Sequence, residues 1–187
     1  MTVLSNAFIG TTRPVDAPPS AGTLNQLRAG VLGANDGIVS VAAILLGVAG
    51  ASTSRSVLVT AGVAGLVAGA LSMASGEYVS VSSQRDAERA ALTPAEEQTN
   101  PWHAAVASLA SFVVGGMIPL LVVLLPWGAA RIPAVVVAVA LALVATGAIS
   151  AHIGNAAVPR AVLRNVLGGG IAMAVTYGVG SLVGLFV

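Results

Sequence analysis

Five stretches of the chain, at residues 29–50, 57–81, 104–127, 132–151 and 161–186, are apolar, each over roughly the 20 residues a helix needs to cross a hydrocarbon core about 30 Å thick. No other feature constrains the fold as strongly. In lipid every backbone amide and carbonyl must be satisfied within the spanning structure, and these stretches lack the alternation of barrel strands, so all five are expected to be helices. Composition agrees, with 56% hydrophobic residues and 8% charged, against about 25% charged in a soluble domain. Mean hydropathy is +0.93. The expected fold class is an all-α integral membrane protein with five transmembrane helices. Trp102 and Trp127 bracket the third, as interfacial aromatics do.

Residues 1–22, with Pro14, Pro18 and Pro19, hold no basic cluster and no apolar run, so they do not resemble a signal peptide and are expected to form a disordered tail. Residues 23–187 then form one transmembrane domain. Thr23 and Gln26 have the form of a capping box at the start of the first helix. The long polar stretch 84–101 is expected to be a loop, with room for a helical extension of the second span. Six of the eight arginines, namely 13, 28, 85, 89, 160 and 164, fall on one side, against Arg55 and Arg131 on the other. By the positive-inside rule the N-terminus and the 84–101 loop are cytoplasmic and Val187 is outside. The formal charge of +1 carries little information about partners, and the absence of cysteine removes disulfides, thiolate metal sites and thiol catalysis together. Basic residues that are all arginine, in an Ala-, Gly- and Val-rich chain, fit a GC-rich bacterial genome, so a bacterial plasma membrane is the expected location.

Of seven acidic residues, only Asp36 and Glu77 fall well inside spans. Asp36 lies eight residues beyond Arg28 and Glu77 eight before Arg85, so each is expected about 12 Å inward along its helix, the two at one level and without a basic residue at that depth. An intramembrane carboxylate costs at least about 2.5 kcal/mol. Its compensating charge would then be a proton or a bound cation. The alternative is that both acids stay protonated and act as hydrogen-bonding glue between helices. Met73 stands four residues before Glu77 on the same face, which continues through Gly69, Gly65 and Gly62; on the first span Gly33, Asp36, Gly37 and Ser40 share a face. Glycine faces allow close helix approach, so Gly33, Gly37, Gly65 and Gly69 are expected at a helix contact, with the faces of spans one and two meeting across a two-fold homodimer. Asn35-Asp36-Gly37 is a poor helix former, open to local unwinding. Carboxylate oxygens suit hard divalent cations and a thioether shifts preference towards softer ones such as ferrous iron, although methionine is also a common core filler. His103 and His152 lie near helix ends and read as interfacial polar tips. Pro119 in span three is expected to kink that helix. No HExxH, nucleophile constellation or phosphate loop is present, so an enzyme is not expected.

The stretches LRAGVLGANDGIVSVAAILLGVAGA and VAGLVAGALSMASGEYVSVSSQRDAER resemble the vacuolar iron transporter family, and PWHAAVASLASFVVGGMIPLL and GGGIAMAVTYGVG extend the resemblance over most of the membrane part. It implies a five-span homodimer with the metal path between subunits, moving ferrous iron and manganese out of the cytosol in exchange for protons, with Asp36 and Met73 as metal ligands and no resident cofactor. Two departures accompany it. Gly65 stands where plant members carry a glutamate, so Glu77, one turn after Met73, is assigned that role by depth and face. The glutamate- and methionine-rich cytoplasmic domain between spans two and three is missing, only the 84–101 segment bridging them, as in nodulin-like members or a domain-deleted form. The expected function is export of a divalent metal, with a lipid bilayer and metal ions as partners and no nucleic acid. The other reading is a non-transporting membrane protein whose acids serve helix association or partner regulation.

Overall fold

The structure, a computed structural model, describes residues 21–186. Five long helices account for most of it: α1 (Ala21–Ala51), α2 (Arg55–Ala90), α3 (Pro101–Leu124), α4 (Arg131–Ile153) and α5 (Val158–Val183), with a short 3-10 turn at Gly128–Ala130. All five are long and apolar enough to cross a membrane. The tail expected over 1–22 lies outside the described residues except for its last two, which are already helical in α1. Thr23 lies within α1, two residues after its first described residue. In the 84–101 segment the second span does extend as a helix, α2 continuing to Ala90, and the rest connects it to α3.

Helix α1 is the hub, in contact with every other helix; α2 packs on α1 and α3 alone and touches neither α4 nor α5. The centre is aliphatic, built from Ile38, Val41 and Leu45 of α1, Leu58 and Leu66 of α2, Phe112 and Leu120 of α3, and Val139 and Leu143 of α4. Small residues set the closest approach. A Cβ at Gly33 would run into the Ser108 backbone, one at Gly37 into the Phe112 carbonyl, and one at Gly115 into the Ala34 carbonyl. The α1 glycine face therefore packs against α3 in the same chain, not against span two or a second subunit. On α2, Gly65 abuts the Ile44 side chain and Gly69 the Phe112 ring. The pairing follows from α3 carrying its own small residues, Ser108, Gly115 and Gly116, where two backbones can approach. The same packing explains why α1 runs unbroken through Asn35-Asp36-Gly37: tertiary contact overrides a weak local propensity. Pro119, too, lies within a continuous α3.

The ends are held by specific donors. Asn100 caps α3, its Oδ1 accepting from the Trp102 and His103 amides at 3.0 and 3.3 Å. At the far end Trp127 Nε1 donates to the Val122 carbonyl at 2.9 Å, and the Arg55 guanidinium donates to the Leu124 carbonyl. α2 closes with a Schellman-type turn in which Leu92 adopts φ 57° and Thr93 donates to the Glu88 carbonyl at 3.0 Å. The Glu88 side chain then ties the connection to α3, accepting from the Thr99 amide at 2.8 Å and its hydroxyl at 3.1 Å. The Thr99 amide, followed by the Gln84 and Thr99 side chains, holds the Glu88 carboxyl below its ordinary range.

Candidate functional site

Asp36, Met73 and Glu77 line one cavity of about 480 Å³ between α1 and α2, floored by Phe112 of α3. Helix α1 contributes Asp36 and Ser40 at i and i+4, on one face. Ser40 Oγ donates to Asp36 Oδ1 at 3.0 Å. Helix α2 contributes Ser72, Met73 and Glu77, and its Gly65, Gly69 and Gly76 leave the space open. Met73 is partly buried and packs against the aliphatic core while lining the cavity.

The two acids stand in different surroundings. Asp36 has no cationic partner among the described residues. Glu77 is 7% exposed and forms an ion pair with Arg28, Nη2 to Oε1 at 2.6 Å. Asn25 Oδ1 steadies the guanidinium, accepting from Nη2 at 3.1 Å and Nε at 3.3 Å. A basic residue thus reaches Glu77, contrary to the expectation from spacing. Spacing along one helix misses a partner on the next, and antiparallel packing brings the start of α1 beside the later part of α2. With Gly65 beside Ile44, twelve residues along each helix bring Glu77 level with Leu32, so Asp36 lies about one turn, some 6 Å, deeper. The acids are stacked along the cavity rather than at one level.

Arg28 is the functional neighbour that reading the sequence missed. Its signal was the register of the α1–α2 hairpin, which no residue type announces. Ser72, which also lines the cavity, is a second. His103 lies elsewhere, in a smaller polar cavity of about 290 Å³ with Asn25, Gln26 and Gln98, and His152 is at the end of α4. Among the described residues no group of three or more His, Cys, Asp or Glu side chains could hold a metal ion. One chain therefore offers a cation two carboxylates, hydroxyl oxygens and a thioether.

The VIT family model matches residues 27–98 and 91–181, which include Arg28, Asp36, Met73 and Glu77. Among curated proteins, the chain is 47% identical over 173 residues to vacuolar iron transporter homolog 1 of Oryza sativa subsp. japonica, covering 85% of this chain and 74% of that one. It is 45% identical over 166 residues to vacuolar iron transporter homolog 3 of Arabidopsis thaliana, covering 84% of this chain and 83% of that one.

Proposed function

The chain belongs to the VIT family, and from that premise we propose that it carries divalent metal, ferrous iron and also manganese, across the membrane through the α1–α2 cavity. The observation that carries this reading is Asp36, a carboxylate in the apolar part of α1 that lines a cavity with Met73 and Glu77 and has only a hydroxyl for company. A carboxylate in such a place needs a positive charge, and protons and metal ions are the two mobile ones at hand. Asp36 then holds one or the other, and exchange of metal for protons follows when the cavity opens alternately to each side.

Glu77 works differently. Its charge is balanced by Arg28, so it offers a cation an oxygen only as the guanidinium withdraws. Metal entering from the cytosolic side, where Arg28 lies by the arginine bias, meets this pair first and Asp36 one turn further in. The hydroxyls of Ser40 and Ser72 add hard oxygens, and the Met73 thioether favours iron over magnesium. A two-fold homodimer completes the ligand shell by setting two such cavities face to face, which suits a cavity rimmed by the exposed Leu32 and Ile44.

The test is metal and proton flux in the same liposomes under a set pH gradient. Asp36→Asn keeps size and hydrogen bonding but removes the charge; it is expected to leave folding intact and to abolish both fluxes. Native-rate transport by that variant would sink the proposal and leave Asp36 a structural residue.

A further inference from the structure

A third cavity, of about 490 Å³, lies between the start of α1, the end of α4 and the start of α5. Its charged lining residues are both arginines, Arg28 and Arg164, joined by Asn35 and Asn165, and no carboxylate lines it. Arg164 is exposed and forms no hydrogen bond or ion pair among the described residues. The Nη1 of Arg28 points to no acceptor among them either, its other nitrogens being taken by Asn25 and Glu77. The Asn35 Oδ1 is enclosed and has no partner, so the cavity holds a polar amide that can present either its oxygen or, turned over, its nitrogen. The remaining walls are apolar, and Leu24, Leu27, Leu32 and Ile153 are each more than a third exposed, facing the surroundings of the bundle.

We propose that this cavity is a binding site for the headgroup of an anionic phospholipid, its phosphate held between Arg28 and Arg164 and an acyl chain lying along the exposed leucines and isoleucine. Arg164, which has no acid partner among the described residues, supplies the charge, and the Nη1 of Arg28, whose Nη2 is paired with Glu77, adds a donor; together they favour a phosphate. Basic pockets between transmembrane helices at one membrane face are suited to lipid headgroups in particular. Free phosphate shares the charge chemistry but makes no use of the apolar walls.

The experiment uses the full chain and measures, by native mass spectrometry, which lipid it retains from equal amounts of phosphatidylglycerol and phosphatidylcholine. The native protein is expected to retain phosphatidylglycerol. Arg164→Ala is expected to weaken that retention about fivefold, the worth of one arginine at an anionic surface, whereas Arg160→Ala, outside the cavity, leaves it unchanged. Equal losses in the two variants would mean general surface charge, and equal retention of both lipids would mean no headgroup site; either overturns the proposal. So does displacement of phosphatidylglycerol by an equal concentration of inorganic phosphate, which would assign the cavity to the free ion. Arg164→Lys, which keeps the charge, separates binding from packing: retention near the native value supports the site, and a loss equal to that of Arg164→Ala overturns it.

Discussion

The Arg28–Glu77 pair makes the two intramembrane acids unequal. A buried carboxylate left without its partner is costly, and the exposed half of the pair moderates that cost. Arg28→Gln is therefore expected to destabilise the protein by about 1–3 kcal/mol, and Glu77→Gln added to it should recover most of the loss. A denaturation cycle over the two single variants and the double variant measures the coupling; additive losses would mean that the pair contributes nothing. The same substitution removes the internal competitor for Glu77. Metal should then half-saturate the Arg28→Gln protein at a lower concentration than the native one.

Each helix carries a face whose fit can be tested separately. Adding a methyl group at Gly37 drives it into the Phe112 backbone, so Gly37→Ala should cost about 1–3 kcal/mol through overpacking. Gly168 on α5 has nothing within 4 Å of such a group, and Gly168→Ala should be neutral or stabilising by up to about 1 kcal/mol. Thermal unfolding in one detergent compares the two, and equal effects would undo the assignment of the α1–α3 contact. Beyond the apolar part of α2, Glu88 secures the connection to α3. Its carboxyl titrates below the ordinary 4.5 because the Thr99 amide binds the charged form. The stabilisation is thus fully present above 4.5 and is lost as pH falls through the lowered value. Faster hydrogen exchange at the Thr99 amide is expected there, and at neutral pH in Glu88→Gln.

These elements also show what sequence can carry. The five spans were legible because apolar length is a property of one segment at a time, and Asp36 and Met73 stood out because lipid makes a polar atom conspicuous. What lay between segments was not legible. The glycines of Gly33, Gly37, Gly65 and Gly69 announced close contact but not with which helix, and α3 took the α1 face because its own small residues match it in register. The ion pair of Glu77 was hidden for the same reason. The extension of α2 past its apolar stretch was open in the sequence, but its fastening was not: Gln84 and Thr99 bind Glu88, an arrangement that needs the chain to turn back on itself.

At the scale of the whole molecule, α2 leaves Ala68 and Ser72 exposed where they line the cavity, and this is the face on which the proposed second subunit would sit. The chain has no cysteine, so single introduced cysteines report cleanly. Ala68→Cys should cross-link into a covalent dimer in membranes, whereas Val137→Cys on α4, 58% exposed, should not. Equal cross-linking at both positions would indicate random collision, and none at Ala68 would place the interface elsewhere.

The contact pattern divides the candidate ligands mechanically. Helices α1, α3, α4 and α5 form a connected block, and α2 rests on its edge through α1 and α3 alone, joined to α1 by the three residues 52–54. Asp36 rides on the block; Met73 and Glu77 ride on α2. The jaws of a pair of pliers have the same relation. Because Leu58 and Leu66 of α2 are buried in the core and Gly69 abuts the Phe112 ring, any shift of α2 that changes the distance between the oxygen and sulfur donors also repacks its seam with α3, so the grip on a cation is coupled to that seam.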